Sequence, residues 1–238
     1  MSGIKNQARY AGLLYVLVSI PGAFALVYVP GKLIVHGNAA ATASNIAASE
    51  TLFRAGIAAN LISQILFLWV ALALYDLLKG VNRRQALVML GLIAVPLPIV
   101  LLNELNAMAA LLLVRGGGFL QALDQAQREG LAMLFLNLHG RGFGIAEIFW
   151  GLWLFPLGLL VYRSGWFPRF LGILLVVSCF AYVAESFAPL ILPQFADAIS
   201  RWTAPLRLGE MVFMLWLLIA GARARESGTD ESTPARVG

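Results

Sequence analysis

Six long apolar stretches run through this chain, and ionisable residues interrupt several of them at a shared depth. A helix needs about 20 apolar residues to cross about 30 Å of hydrocarbon. The stretches at about 10–30, 52–78, 86–114, 131–162, 168–192 and 206–222 meet or approach that length. They are continuously apolar and rich in Leu and Ala, not alternating like barrel strands. Hydrophobic residues make up 60% of the chain and mean hydropathy is +0.82. A soluble domain is only about half apolar. The expected fold is all-α: a polytopic membrane bundle of about six transmembrane helices, in one domain over 1–222.

A net charge of +5 and a pI near 9.7 raise the question of nucleic acid. The Lys and Arg residues sit mostly at span ends, and no basic run is interleaved with aromatics, so nucleic-acid binding is excluded as a reading. Cys179 is the single cysteine, which rules out an intrachain disulfide and a cysteine metal motif. The two histidines are His36, in a loop, and His139; a bis-histidine haem would need both at membrane depth. No cofactor and no metal set is implied.

Lys5, Arg9, Lys79, Arg83, Arg84, Arg163, Arg169, Arg223, Arg225 and Arg236 fall on one side of the spans. Lys32, Arg115, Arg128 and Arg201 fall on the other. Both termini are therefore expected in the cytoplasm, in a multi-pass protein of the plasma membrane. Tyr28, Tyr162, Trp166 and Trp202 lie near span boundaries, as interfacial aromatics do. Lys5, Arg9 and Ala23-Phe24-Ala25 carry a signal-peptide pattern, but the apolar run continues through Leu26–Val29, which favours a span. The tail 223–238 has almost no large apolar residue and is expected to be disordered. Asn38 is placed to cap a short surface helix and Ser49 to cap the second span. Gly116-Gly117-Gly118 is not a phosphate loop, since no Gly-Lys-Ser/Thr follows; Phe119–Leu123 reads as an interfacial helical turn. No internal repeat supports an inverted-repeat transporter.

The run Asn137-Leu138-His139-Gly140-Arg141-Gly142-Phe143, then Phe149-Trp150-Gly151, then Tyr162-Arg163-Ser164-Gly165-Trp166-Phe167-Pro168-Arg169-Phe170-Leu171-Gly172 is the most specific segment. With Ala8–Tyr15, Leu52–Gly56 and Leu77–Arg83 it resembles the bacterial membrane family called domain of unknown function 4386. The resemblance covers most of 8–192. It implies an integral membrane protein of several helices and carries over no activity and no functional residues. Two positions depart from the family pattern: an acid is expected where Asn137 stands and a histidine where Trp153 stands. A metal reading is weakened accordingly.

Helical rise is 1.5 Å per residue, so Glu147 lies about 22 Å from Tyr162 in a core of about 30 Å. The same count puts Glu185 about 28 Å from Trp166 and Glu210 about 20 Å from Arg223. Asn103, Glu104 and Asn106, the trio Arg54, Asn60 and Gln64, and the pair His139 and Arg141 fall at similar depth. The candidate ligand-binding residues are Arg54, Asn103, Glu104, His139, Arg141, Glu147, Glu185, Arg207 and Glu210. Unpaired charges cost at least a few kcal/mol in lipid, so these side chains are expected to turn inward and pair. Arg207 and Glu210, three apart, are expected to meet on one helix face. Ser178, Tyr182 and Glu185 share a face, whereas His139 and Glu147 diverge by about 80°. Asp76, near Lys79, is expected to form a local pair. The competing structural reading is a salt-bridge network that fixes helix register, or snorkelling to headgroups.

Gly140, Gly144, Gly151 and Gly158 form a small-residue stripe that lets another helix approach. Pro96 and Pro98 interrupt the third span and should bend it. Three functions stay open. The first binds or moves a small or amphiphilic ligand in an outward-facing polar pocket, with membrane lipid as surroundings. The second is a membrane enzyme, a hydrolase or lipid-modifying catalyst, using His139 with Glu104 or Glu147. The third is a structural or regulatory partner presenting its glycine face to other helices.

Overall fold

The computed structural model describes residues 2–223, so the expected tail, including Arg225 and Arg236, lies outside the described residues. The helices are α1 (Ser2–Ala23), α2 (Val29–Leu33), α3 (Ala39–Ala48), α4 (Glu50–Leu78), α5 (Arg83–Ala94), α6 (Pro96–Arg115), α7 (Gln125–Leu152), α8 (Leu154–Ser164), α9 (Arg169–Ile191), α10 (Ala196–Thr203) and α11 (Leu208–Ile219). Grouped by continuity they give six segments long and apolar enough to cross a membrane: Gly3–Leu33, Glu50–Leu78, Arg83–Arg115, Gln125–Ser164, Arg169–Ile191 and Pro193–Ile219. No strand occurs among the described residues.

The start and stop chemistry is local. Asn38 accepts from the Ala41 amide at 2.9 Å and Asn82 from the Gln85 amide at 3.0 Å, capping α3 and α5. Asp124 and Gln127 bond reciprocally at the start of α7. Ser49 departs from expectation: its side chain makes no cap bond to α4. Its amide instead closes α3 onto Asn45 and Ile46, so one residue both ends α3 and begins α4. The triple glycine leads into a single tight turn, Gly118–Leu120. Gly165 ends α8 at φ +70°, a left-handed conformation that a Cβ disfavours.

Four spans depart from regular α-helix. The first passes through a π turn at Phe24–Tyr28 between α1 and α2. The third breaks at Val95, with Pro96 opening α6 where its missing N–H costs nothing. The fourth breaks at Trp153, because Pro156 cannot donate to the Leu152 carbonyl. The sixth departs furthest from the expected 206–222. Its straight helix α11 has 12 residues, about 18 Å long and too short for the hydrocarbon core alone. The chain reaches α11 through α10 and a tight turn at Ala204–Arg207.

Small residues set the helix approaches. A methyl group on Gly158 would stand 2.7 Å from the Gly172 carbonyl oxygen, so α8 and α9 touch backbone to backbone. Gly12 packs α1 on the Leu217–Leu218 backbone of α11, and Gly209 packs α11 on Leu174 and Ser178 of α9. One apolar core gathers Leu74, Trp153, Leu157, Leu160, Leu171, Leu175, Phe213 and Leu217. A second, around Val29, Leu33, Ile46, Phe53, Ala107, Ala110, Leu111 and Leu136, joins α2, α3, α4, α6 and α7. Large apolar side chains such as Trp69, Leu102, Ile145, Phe180 and Leu190 point outward, a perimeter suited to lipid and not to water. At the terminal end Arg9 donates to the Ile219 carbonyl at 3.0 Å, and the Arg223 amide donates to the Trp166 carbonyl at 2.8 Å.

Candidate functional site

In the half of the bundle away from those termini, the polar side chains fall into separate groups instead of one cluster. The first is centred on Glu104 of α6, which is 2% exposed. It accepts a hydrogen bond from the Asn60 amide of α4. Its Oε1 lies 3.1 Å from His139 Nε2 of α7. Gln64 Nε2 reaches Asn60 Oδ1 at 3.5 Å, and Asn103 Nδ2 donates to the His139 carbonyl at 2.8 Å. Asn106 donates back to Asn103 at 3.0 Å. Asn103 passes directly over Gly142, where any Cβ would collide with its amide. The His139 ring meets Phe143 edge-on, with centroids 4.8 Å apart. Glu104, Asn60 and His139 form the polar end of a cavity of about 40 Å³ with apolar walls from Leu26, Val29, Leu33, Phe53 and Leu136. That space suits a water or two, not a large substrate.

The second group forms at the broken sixth span. Arg207 sits in the tight turn before α11, where helical backbone bonding lapses. Ser178 of α9, 0% exposed, donates to the Leu206 carbonyl at 2.8 Å and so satisfies a group the break frees. Arg207 Nε lies 2.9 Å from Glu185 Oε2, and its Nη1 3.4 Å from Glu147 Oε1. The Nε–H is not aimed along a hydrogen bond, so the Glu185 contact is an ion pair of proximity. Glu185 also accepts from Ser200 at 3.0 Å and Thr203 at 3.2 Å. The guanidinium stands 5.5 Å from the centre of the Tyr182 ring.

Arg207 thus does not pair with Glu210, contrary to the three-residue spacing. The turn ends at Arg207 and carries its side chain toward α7 and α9, away from the face Glu210 occupies on α11. Glu210 accepts from the Tyr15 hydroxyl of α1 instead. Tyr15, Tyr182, Arg207 and Glu210, with Ser19, Met211 and Met214, line a cavity of about 470 Å³. Ser178, Tyr182 and Glu185 all address the 204–210 segment, as their common face requires.

Two residues stand apart. Arg54 is exposed at the start of α4, 2.6 Å from Glu50, which is also 3.6 Å from Arg115. Arg141, exposed on α7, has no ion-pair partner among the described residues. Asp76 pairs with Lys79 at 2.6 Å. The glycine stripe divides: Gly151 and Gly158 are buried against α9, while nothing approaches within 4 Å of a methyl built on Gly140 or Gly144. Burial of the deeper pair removes the main support for a partner-binding glycine face. Sequence reasoning misses Tyr15, whose one signal is a hydroxyl midway along an apolar helix. Trp153, where the family resemblance expects histidine, is fully buried against Tyr15 and Phe67.

A bundle with six membrane-length helices, a lipid-suited perimeter and carboxylates turned inward is a multi-pass integral membrane protein. Residues 10–221 match the family model described as domain of unknown function (DUF4386), and the chain belongs to that family. The match extends beyond the 8–192 resemblance into the sixth span. The chain is also similar to an uncharacterised protein of Archaeoglobus fulgidus, 36% identical over 83 residues, which is 34% of this chain and 48% of that protein. The chain spans about half the length of that curated relative. No solved structure matches.

Proposed function

We propose that this protein binds a small amphiphilic cation, an organic amine, in the cavity framed by Tyr15, Tyr182, Arg207 and Glu210. The observation that carries the reading is a charge imbalance. Glu147 and Glu185 already pair with the single guanidinium, Arg207, and a third carboxylate, Glu210, lines the same cavity as Arg207 with no cation paired to it among the described residues. In a low-dielectric interior the surplus needs a cation or protons. Met211, Met214 and Leu208 supply apolar wall for an alkyl chain, and the Glu210 carboxylate on the same wall supplies the charge that an ammonium group would pair with. The cavity of about 470 Å³ is within the size range of small-molecule sites. By the distribution of basic residues, the cavity lies in the outer half of a plasma membrane with both termini in the cytoplasm. A reporter fused to the C-terminus checks that topology.

The direct test is equilibrium binding of a fluorescent alkylammonium probe to the purified protein in detergent. Glu210→Gln is expected to weaken binding by about tenfold or more, while Glu104→Gln leaves it unchanged. Equal affinity of wild type and Glu210→Gln would refute the reading.

One observation supports a second reading, a membrane enzyme: His139 lies within hydrogen-bond reach of Glu104. With the proton on Nε2, Glu104 would orient the ring and leave Nδ1 as the base. The adjoining 40 Å³ cavity accommodates a water nucleophile and little else. Hydrolytic activity lost in His139→Gln and kept in Glu210→Gln would favour this reading over amine binding.

A further inference from the structure

Arg141 poses an electrostatic question that neither site answers. The charges inside the bundle have partners: Glu104 meets His139, Arg207 meets Glu147 and Glu185, and Glu210 meets Tyr15. Arg141 has none among the described residues. One helical turn earlier stands neutral Asn137, whose amide donates to the Met133 carbonyl at 2.9 Å. Both residues line a crevice of about 780 Å³ between α7, α9 and the loop after α2, and no acidic side chain lines it. His36, from that loop, is the second group there able to carry positive charge.

The crevice has a direction. Arg141 lies 21 residues before the interfacial Tyr162, about 32 Å along the helix and so at headgroup level. One turn deeper are Gly144 and Ile145, and Leu190 of α9 faces them. Gly140 and Gly144 leave the α7 surface bare beneath the guanidinium, with space where side chains would stand. A cation at headgroup height above an apolar slot open along the helix matches an anionic head joined to an alkyl tail. A guanidinium also binds two phosphate oxygens at once, which a carbonyl-only head does not offer.

We propose that this crevice holds one phospholipid, its phosphate on Arg141 with His36 alongside, and an acyl chain lying over Gly144 and Ile145. The site is separate from the amine cavity and does not depend on it.

Native mass spectrometry of the full chain, released from detergent micelles containing phosphatidylglycerol, reads the bound lipid directly. Wild type is expected to retain one lipid, and Arg141→Gln to lower its occupancy by about tenfold. Arg141→Lys, which keeps the charge but not the fork, should fall between them. Asn137→Asp places a carboxylate four residues before Arg141, the favourable helical order for an ion pair. It should displace the lipid with the Arg141 side chain still present, and it keeps the proposal testable should Arg141→Gln fail to fold. Arg201→Gln, at an exposed position of α10, should retain the lipid. Wild-type occupancy in both Arg141→Gln and Asn137→Asp would overturn the proposal. So would Arg141-dependent stabilisation by inorganic phosphate alone with no lipid retained, which would make this a free-anion site.

Discussion

Glu104 of α6 and His139 of α7 meet 3.1 Å apart across a helix pair, with the carboxylate almost wholly removed from solvent. Asn60 closes the contact from α4. A single carboxylate therefore ties three spans, and it does so where lipid offers no substitute partner.

Glu104→Ala is expected to destabilise the bundle by about 2–4 kcal/mol, since it strands the buried Asn60 amide and the His139 ring as well as opening space. Glu104→Gln keeps an acceptor oxygen and should cost less. Unfolding by titration with dodecyl sulfate measures both. Equal stability of Glu104→Ala and wild type would show that the group adds nothing to the fold.

Arg54 offers the contrast. Its pair with Glu50 is short but exposed, and exposed pairs contribute little. Arg54→Ala should change unfolding free energy by no more than about 0.5 kcal/mol. A loss comparable to that of Glu104→Ala would mean that Arg54 belongs to the interior network after all.

Ser178→Ala removes the donor to the Leu206 carbonyl at the break before α11. Leaving that carbonyl unsatisfied should cost about 1–3 kcal/mol. Because the break sets the position of Arg207, the same substitution should also weaken alkylammonium binding. Loss of stability with unaltered affinity would separate the break from the cavity.

Gly158→Ala drives a methyl to 2.7 Å from the Gly172 carbonyl oxygen and 2.8 Å from Val176 Cγ2. Backbone contact leaves no flexible side chain to yield, so a loss of about 1–3 kcal/mol is expected. Gly144→Ala, facing open space, should be tolerated. Thermal unfolding in detergent compares the two, and equal melting temperatures would contradict the division of the glycine stripe.

The residues of the candidate sites were largely visible in the sequence, because an ionisable side chain inside an apolar run stands out by composition alone. Glu104, Glu147, Glu185, Arg207 and Glu210 stand out in that way. Their partners were visible only where they shared a helix. Ser178, Tyr182 and Glu185 follow one face, and Asp76 meets Lys79 three residues on. Arg207 and Glu210 fail the same rule because α11 begins only at Leu208, leaving Arg207 in a turn of different pitch. Tyr15 is not legible in the same way because a tyrosine in an apolar helix is ordinary; only the neighbouring α11 makes it a partner of Glu210.

Taken alone, the amino-acid order determined the medium, the helical class and the number of crossings. Run length and hydropathy are local quantities, and hydrocarbon forces each crossing to satisfy its own backbone. It also determined the short-range caps of α3 and α5, whose bonds span three residues. Which carboxylate meets which cation was decided by the tertiary structure. Those distances depend on how helices rotate and approach, and here Gly12, Gly158, Gly172 and Gly209 set that approach by what they leave unfilled. The division into a Glu104 knot, an Arg207 cavity and an Arg141 without an ion-pair partner among the described residues arises from that packing.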